Sequence, residues 1–183
     1  MRNPFLYPGL RVLLLFSKDP YREFHLREIA KLAKVSSSTA KRFLDFYAES
    51  GLLEKQKKAN LNLFKANIEN PTFKHMKIGY FMMNLQPLVR YLREAYPNAS
   101  IVLYGSCARG EDDPQSDIDL LIISRKKEKM GLTVFEKKFG RKITMLVYEP
   151  HEWEKKAKED KAFYERILID GISLQGNLPV VKL

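Results

Sequence analysis

A glycine-serine pair held between two short apolar stretches constrains this chain more than any other feature. Residues 101–103 (Ile-Val-Leu) read as a strand, Gly105 and Ser106 follow almost at once, and residues 117–123 (Asp-Ile-Asp-Leu-Leu-Ile-Ile) read as a second strand. Side chains alternate along a strand, so Asp117 and Asp119 share one face while Ile118, Leu120 and Ile122 turn to the other and into a core. Two carboxylates on one face bring hard oxygen ligands together, which suits a divalent cation. Gly105 leaves the backbone open to close approach and takes turn dihedrals other residues avoid, and Ser106 adds a hydroxyl and an N–H. A helix starting near Ser106 would present unpaired N–H groups and a positive dipole end, both favourable to phosphate oxygens.

Gly-Ser, ten residues, then Asp-x-Asp resembles the signature of the nucleotidyltransferase superfamily that includes the DNA polymerase β fold. The resemblance implies a transferase that uses Mg²⁺ or Mn²⁺ and a nucleoside triphosphate, with ATP the expected one, and releases pyrophosphate. In that reading Asp117 and Asp119 are the catalytic and metal-holding carboxylates. Gly105 and Ser106 cradle the β and γ phosphates, and Arg109 assists. The resemblance also places a third carboxylate on the neighbouring strand. Here that strand reads Arg-Lys-Ile-Thr-Met-Leu-Val over residues 141–147, with Thr144 at the position in question. A neutral hydroxyl can neither neutralise a second cation nor act as a base toward an attacking hydroxyl. Glu149 beyond the strand and Glu111, Asp112 and Asp113 before Asp117 are the candidate substitutes.

Cys107 cannot form an internal disulfide, and with no histidine visible beside it a nucleophile reading is rejected; His25, His75 and His151 are scattered and make no zinc site. At 45% hydrophobic and 30% charged residues the composition is that of a soluble globular protein, and no apolar run approaches a bilayer span. The apolar run 12–16 reads as part of a helix rather than as a leader, and a cytoplasmic location is expected. The formal charge of +10 is unevenly spread. Residues 1–99 hold 17 Lys and Arg against 8 Asp and Glu, whereas residues 100–183 hold 15 against 14. An excess confined to the front half suggests a polyanion-binding unit ahead of a near-neutral one.

That front half reads as three helices followed by a hairpin. The first carries Leu10, Val12, Leu13, Leu14 and Phe16 and ends before the Lys18-Asp19-Pro20 turn; the second covers about 26–34. The third starts at a Ser36 N-cap and stops at Gly51, burying Ala40, Phe43, Leu44 and Tyr47 and leaving Ser37, Ser38, Lys41, Arg42 and Asp45 outside. Stretches 52–56 and 61–66 flank a polar turn, residues 57–60, that would carry Lys57 and Lys58 to a hairpin tip. The phrase Val-Ser-Ser-Ser-Thr-Ala-Lys-Arg with Gly51-Leu52-Leu53 downstream resembles a winged helix-turn-helix domain. The resemblance implies double-stranded DNA as partner, with Lys41 and Arg42 in the major groove, Ser37 and Ser38 near base edges or phosphates, and Lys57 and Lys58 on the backbone. Such domains often pair, so a homodimer is a candidate assembly.

The expected fold class is α/β in the α+β sense: a winged helix-turn-helix over residues 1–70, a connecting helix over 71–84, and a nucleotidyltransferase fold over 85–183 with a small mixed sheet flanked by helices. Pro87 is expected to interrupt the connecting helix, with Asn84 capping a new one whose Leu85, Leu88, Val89 and Leu92 pack under the sheet. Residues 126–138 suggest a helix, 143–148 a third strand, 150–169 one or two helices, and 172–174 a short strand. The acceptor is open. Minimal domains of the resembled family can act as antitoxins that attach a nucleotide to a partner toxin, which makes a toxin protein one candidate. A DNA-binding transcriptional regulator with a catalytically degenerate transferase domain is the alternative, and Thr144 is its main support.

Overall fold

The computed structural model describes residues 7–126 and 130–181. The chain separates into two compact units between residues 77 and 78.

The first unit runs α1 (Pro8–Lys18), β1 (Phe24–His25), α2 (Leu26–Ala33), α3 (Ser37–Glu49), β2 (Leu53–Lys58) and β3 (Leu61–Ala66). Ser36 closes the start of α3 by accepting from the Thr39 N–H at 3.1 Å, and Gly51, at φ +71°, follows its end. The apolar stripes of the three helices converge on Val12, Leu13, Phe16, Ile29, Ala40 and Leu44, all 0–2% exposed. The expected order of three helices and a hairpin gains a strand. Phe24, pinned edge-on against Phe16 at 5.2 Å, brings β1 alongside β3, so the antiparallel sheet has the order β1-β3-β2. The hairpin also differs. The β2/β3 ladder continues to the pair Lys58–Leu61, so Lys57 and Lys58 lie in β2 and the turn is only Ala59-Asn60, with Ala59 at φ +51°. Two-residue loops of this kind follow the twist of the strands, which keeps both lysines in the ladder instead of at a tip.

The boundary falls inside α4 (Pro71–Ala95), and the second unit takes that helix from residue 78 on, followed by β4 (Ser100–Tyr104), α5 (Gly105–Arg109), β5 (Ile118–Ile123), α6 (Thr133–Phe139), β6 (Ile143–Tyr148), α7 (Pro150–Glu159), α8 (Lys161–Asp170) and β7 (Ile172–Gln175). Its sheet has the order β6-β5-β4-β7, with β5 and β6 parallel and the other pairs antiparallel.

The expected break at Pro87 is absent: α4 is one helix of 25 residues. An internal proline costs a helix about 3 kcal/mol, but Leu85, Leu88, Val89 and Leu92 on either side of it are 0–2% exposed, and full burial of each such side chain stabilises by about 1.5–3 kcal/mol. Burial therefore outweighs the proline. Asn84 caps nothing; its amide donates back to the Tyr80 carbonyl at 2.8 Å. The helix expected over 126–138 is shorter. Residues 127–129 lie outside the described residues, Lys126 donates its N–H to Ser124 Oγ at 3.0 Å outside any helix, and α6 begins only after Gly131.

The sheet is covered on both faces. Ile101, Leu103, Ile118, Leu120 and Ile122 pack with the α4 leucines on one face; Val102 and Leu121 pack with Trp153, Ala157, Tyr164 and Ile167 of α7 and α8 on the other. The segment after β7 is held to that second layer, since Trp153 Nε1 donates to the Pro179 carbonyl at 2.7 Å and the Val181 N–H donates to Tyr164 Oη at 2.8 Å.

Candidate functional site

Strand alternation decides where the two carboxylates go. Asp119 sits on the face of β5 that Leu121 shares, the face covered by α7 and α8, while its flanking residues Ile118 and Leu120 turn under α4. In the sheet Asp119 lies between Tyr104 of β4 and Thr144 of β6. Asp117 stands one residue before the strand. Thr144 donates its hydroxyl to Asp117 Oδ2 at 3.3 Å, and Lys142 Nζ is 3.8 Å from the same oxygen.

Gly105 makes the close approach possible. Its backbone lies at φ +75°, and a Cβ there would sit 2.5 Å from Asp119 Oδ2. Only a residue without a side chain lets β4 turn directly into α5 against that carboxylate. Burial first, and then the neighbouring Asp117, push the Asp119 carboxyl above its ordinary value; Arg141 and Lys142 oppose them. Burial and the neighbouring carboxylate thus both disfavour the ionised form of Asp119. Asp117 and Asp119 offer carboxylate oxygens, the donor type a hard divalent ion takes.

They do not extend to a three-carboxylate centre. Among the described residues no group of three His, Cys, Asp or Glu side chains stands close enough to share a metal. The candidate substitutes are engaged elsewhere. Glu111 receives Arg109 Nε at 2.7 Å, Asp112 receives Arg141 Nη1 at 2.8 Å, and Asp113 closes a turn on Ser116. Glu149 forms a capping box at the start of α7 with Glu152, five residues along β6 from Thr144, a span of roughly 16 Å.

A cleft of about 390 Å³ opens beside Asp119, lined by Tyr104, Gly105, Ser106, Arg109, Phe163, Arg166 and Asp170. Three of these, Phe163, Arg166 and Asp170, were not expected. They occupy one face of α8 at spacings of three and four, beside the buried Tyr164 and Ile167. That polar and aromatic stripe beside an apolar one was the signal for them in the sequence, though nothing local says which site it faces. Arg109 lies between Glu111 and Asp170, the latter at 3.6 Å, and these contacts raise its pKa further. Tyr104 is pushed up to about 12, by burial first and then by Asp119 and Tyr148, so its phenol stays protonated and remains a donor at neutral pH. The cleft therefore joins two arginines and a phenol to Asp119.

The residues expected at a DNA surface all belong to the first unit. Ser37 opens α3, and Ser38 Oγ lies 2.9 Å from Ser36 Oγ. Lys41 is paired with Asp45 at 2.7 Å, and Lys55 reaches the same carboxylate at 2.7 Å, tying α3 to β2. Lys58 is held by Glu23 at 2.7 Å. Arg42 is exposed with its guanidinium 5.0 Å from the Phe43 ring centre, and Lys57 is exposed in β2 opposite Asn62. Among the described residues, Arg42 and Lys57 carry no ion pair, so they rather than Lys41 and Lys58 present uncompensated charge.

No helix among the described residues is long and apolar enough to cross a membrane. Residues 85–174 match the family model of the nucleotidyltransferase domain. No curated protein and no solved structure matches the chain.

Proposed function

We propose that the nucleotidyltransferase domain matched over residues 85–174 transfers a nucleotidyl group from a nucleoside triphosphate, ATP in the simplest case, to an acceptor, and that the basic unit before it docks on double-stranded DNA. The observation that carries the first half is the packing of Asp119, with Asp117 as its charged neighbour, on Gly105 at the edge of a cleft lined by Arg109 and Arg166.

A Mg²⁺ or Mn²⁺ ion bound by Asp117 and Asp119 would supply Lewis-acid polarisation of the reacting phosphate and offset its charge. The chain itself does the rest. Gly105 and Ser106 let phosphate oxygens approach the backbone, and Arg109, Arg166 and the neutral Tyr104 donate to them. Phe163 and Tyr104, in edge contact at 5.6 Å, form an aromatic wall against which a base or ribose can lie. Thr144 holds Asp117 by a hydrogen bond but cannot take a proton from an acceptor. Deprotonation of the acceptor therefore falls to the acceptor's own partner groups, which a protein substrate such as a toxin could bring.

Calorimetric titration with each nucleoside triphosphate in the presence of Mg²⁺ tests this reading. Saturable binding that requires the ion supports it; absence of binding for all four overturns it. Thr144 favours a second reading, a regulator that binds nucleotide without transferring it. Replacing Thr144 by Asp separates the two. Under the transferase reading, Thr144→Asp tightens Mn²⁺ binding by about tenfold or more, roughly 1.4 kcal/mol, and raises the rate of a reaction the parent already performs. Under the regulator reading the parent shows nucleotide binding and no pyrophosphate release.

For the first unit, the order α1-β1-α2-α3-β2-β3, with α3 opening on Ser37 and Ser38 and bearing an exposed Arg42, supports a winged helix-turn-helix reading. Arg42→Ala is expected to weaken duplex binding by roughly 1–3 kcal/mol, and Lys57→Ala to reduce the slope of log affinity against log salt by about 1. Gel shifts at several salt concentrations measure both. Unchanged affinity in both variants would remove DNA from the reading.

A further inference from the structure

Arg141 is a heavily engaged cation of the second unit, and it does not line the cleft. Its side chain is 11% exposed, and the carboxylate that balances it, Asp112, is 8% exposed. The guanidinium reaches four acceptors. Nη1 donates to Asp112 Oδ2 at 2.8 Å, Nε to the Ser116 carbonyl at 2.5 Å, and Nη2 to the Asp117 carbonyl at 3.2 Å and to Cys107 Sγ at 3.0 Å. The ring of Phe81 lies 5.6 Å from its central carbon.

Two of these acceptors are the carbonyls before and after the Asp117 Cα. Cys107 Sγ adds a donor to the second of them at 3.3 Å. Asp117 lies outside β5, so the sheet ladder does not hold it; the first ladder contact is the Ile118 N–H to the Lys142 carbonyl at 2.9 Å. Between the turn at Asp113–Ser116 and that contact, the backbone of Asp117 is fixed by the guanidinium. We infer that Arg141 is a positioning residue: by fixing both peptide planes of Asp117 it sets the separation of the Asp117 and Asp119 carboxylates and so the affinity of the site for a divalent cation. This rests on the reading that the two carboxylates bind such an ion.

The geometry also says why a lysine will not serve. The acceptors lie on three sides of a planar group, and a guanidinium presents five donors in a fixed fork whereas an ammonium is a single point of charge on a flexible stem. Asp112 neutralises the buried charge through Nη1 while Nε and Nη2 hold the two carbonyls, so its loss affects the two properties differently. Removing one partner of a buried pair lowers stability, yet leaves the hydrogen bonds to the two carbonyls in place.

Mn²⁺ titration of the full chain, followed by electron paramagnetic resonance without nucleotide, tests the inference on the parent, Arg141→Lys, Arg141→Gln and Asp112→Asn, each checked for fold by circular dichroism. The expected result is at least a tenfold weaker Mn²⁺ affinity in whichever Arg141 variants fold, and less than a threefold change in Asp112→Asn even where its melting temperature falls. A folded Arg141→Lys or Arg141→Gln that binds Mn²⁺ like the parent overturns the inference. So does an Asp112→Asn that loses affinity as strongly as they do, because the effect would then follow stability alone, and so does failure of both Arg141 variants to fold. A parent that binds no Mn²⁺ refutes instead the metal reading of Asp117 and Asp119.

Discussion

Asp117→Asn and Asp119→Asn should each lower metal-dependent nucleotidyl transfer by about a thousandfold or more while duplex DNA affinity stays at the parent's value. Loss of one of two anionic ligands removes several kcal/mol of transition-state charge stabilisation, and each 1.36 kcal/mol is a factor of ten in rate. The DNA-facing candidates Arg42 and Lys57 belong to the other compact unit, which the substitutions leave untouched. The stability of the Asp119 variant gives the sharper check. Burial and Asp117 raise the Asp119 pKa in the folded protein. A carboxyl raised in this way favours folding while it is protonated, below its unfolded pKa, and that contribution is lost as pH rises through the folded pKa. At neutral pH without a cation the ionised Asp119 is therefore a destabilising group. Asp119→Asn should melt no lower than the parent there, and the parent's melting temperature should rise on adding Mg²⁺ while the variant's does not. Pyrophosphate release, gel shift and thermal melts with and without Mg²⁺ measure all of this. An Asp119→Asn protein that transfers nucleotide at the parent's rate would show that the assigned carboxylates are not the site.

How much of this was legible in the sequence depends on the range over which each constraint acts. The β4–Gly105–β5 arrangement could be read because a period of two and a Gly-Ser turn are local. The place of Thr144 beside Asp119 was reachable because β5 and β6 pair in register and the resemblance named the position. Pro87 misled because proline acts locally, whereas the burial of Leu85, Leu88, Val89 and Leu92 that carries α4 through it is set by the sheet. Lys41 and Lys58 looked like free cations for the same reason. Asp45, one turn from Lys41, and Glu23, 35 residues from Lys58, take up their charge, and only the first of these pairs has a sequence signature. Phe163, Arg166 and Asp170 were legible as one face of a helix but not as a wall of the cleft. Arg141 was missed because it sits at the edge of a strand read only for what Thr144 lacks.

Gly105→Ala should cost the site its ligand binding, and a second glycine shows how to separate the causes. Gly105 and Gly140 share the left-handed region, at φ +75° and +64°. A side chain there is strained by about 1–2 kcal/mol wherever it stands. At Gly140 an added Cβ meets nothing within 4 Å, so Gly140→Ala should show that strain and nothing more, with unaltered nucleotide and Mn²⁺ binding. At Gly105 the same Cβ would lie 2.5 Å from Asp119 Oδ2 and 3.4 Å from its Cγ. Asp119 is held by strand neighbours on both sides, Tyr104 in β4 and Thr144 in β6, so the carboxylate must swing away from Asp117 or β4 must shift. Either movement breaks the ligand pair. Gly105→Ala should lose about 2–4 kcal/mol of stability, more than Gly140→Ala by the cost of the clash, and at least a hundredfold in Mn²⁺ affinity. Denaturant unfolding and Mn²⁺ titration of the two variants side by side decide it. Equal destabilisation with intact Mn²⁺ binding in both would mean that Gly105 is needed only for its backbone angle, and the close packing of Asp119 on the turn would then have no part in holding the ion.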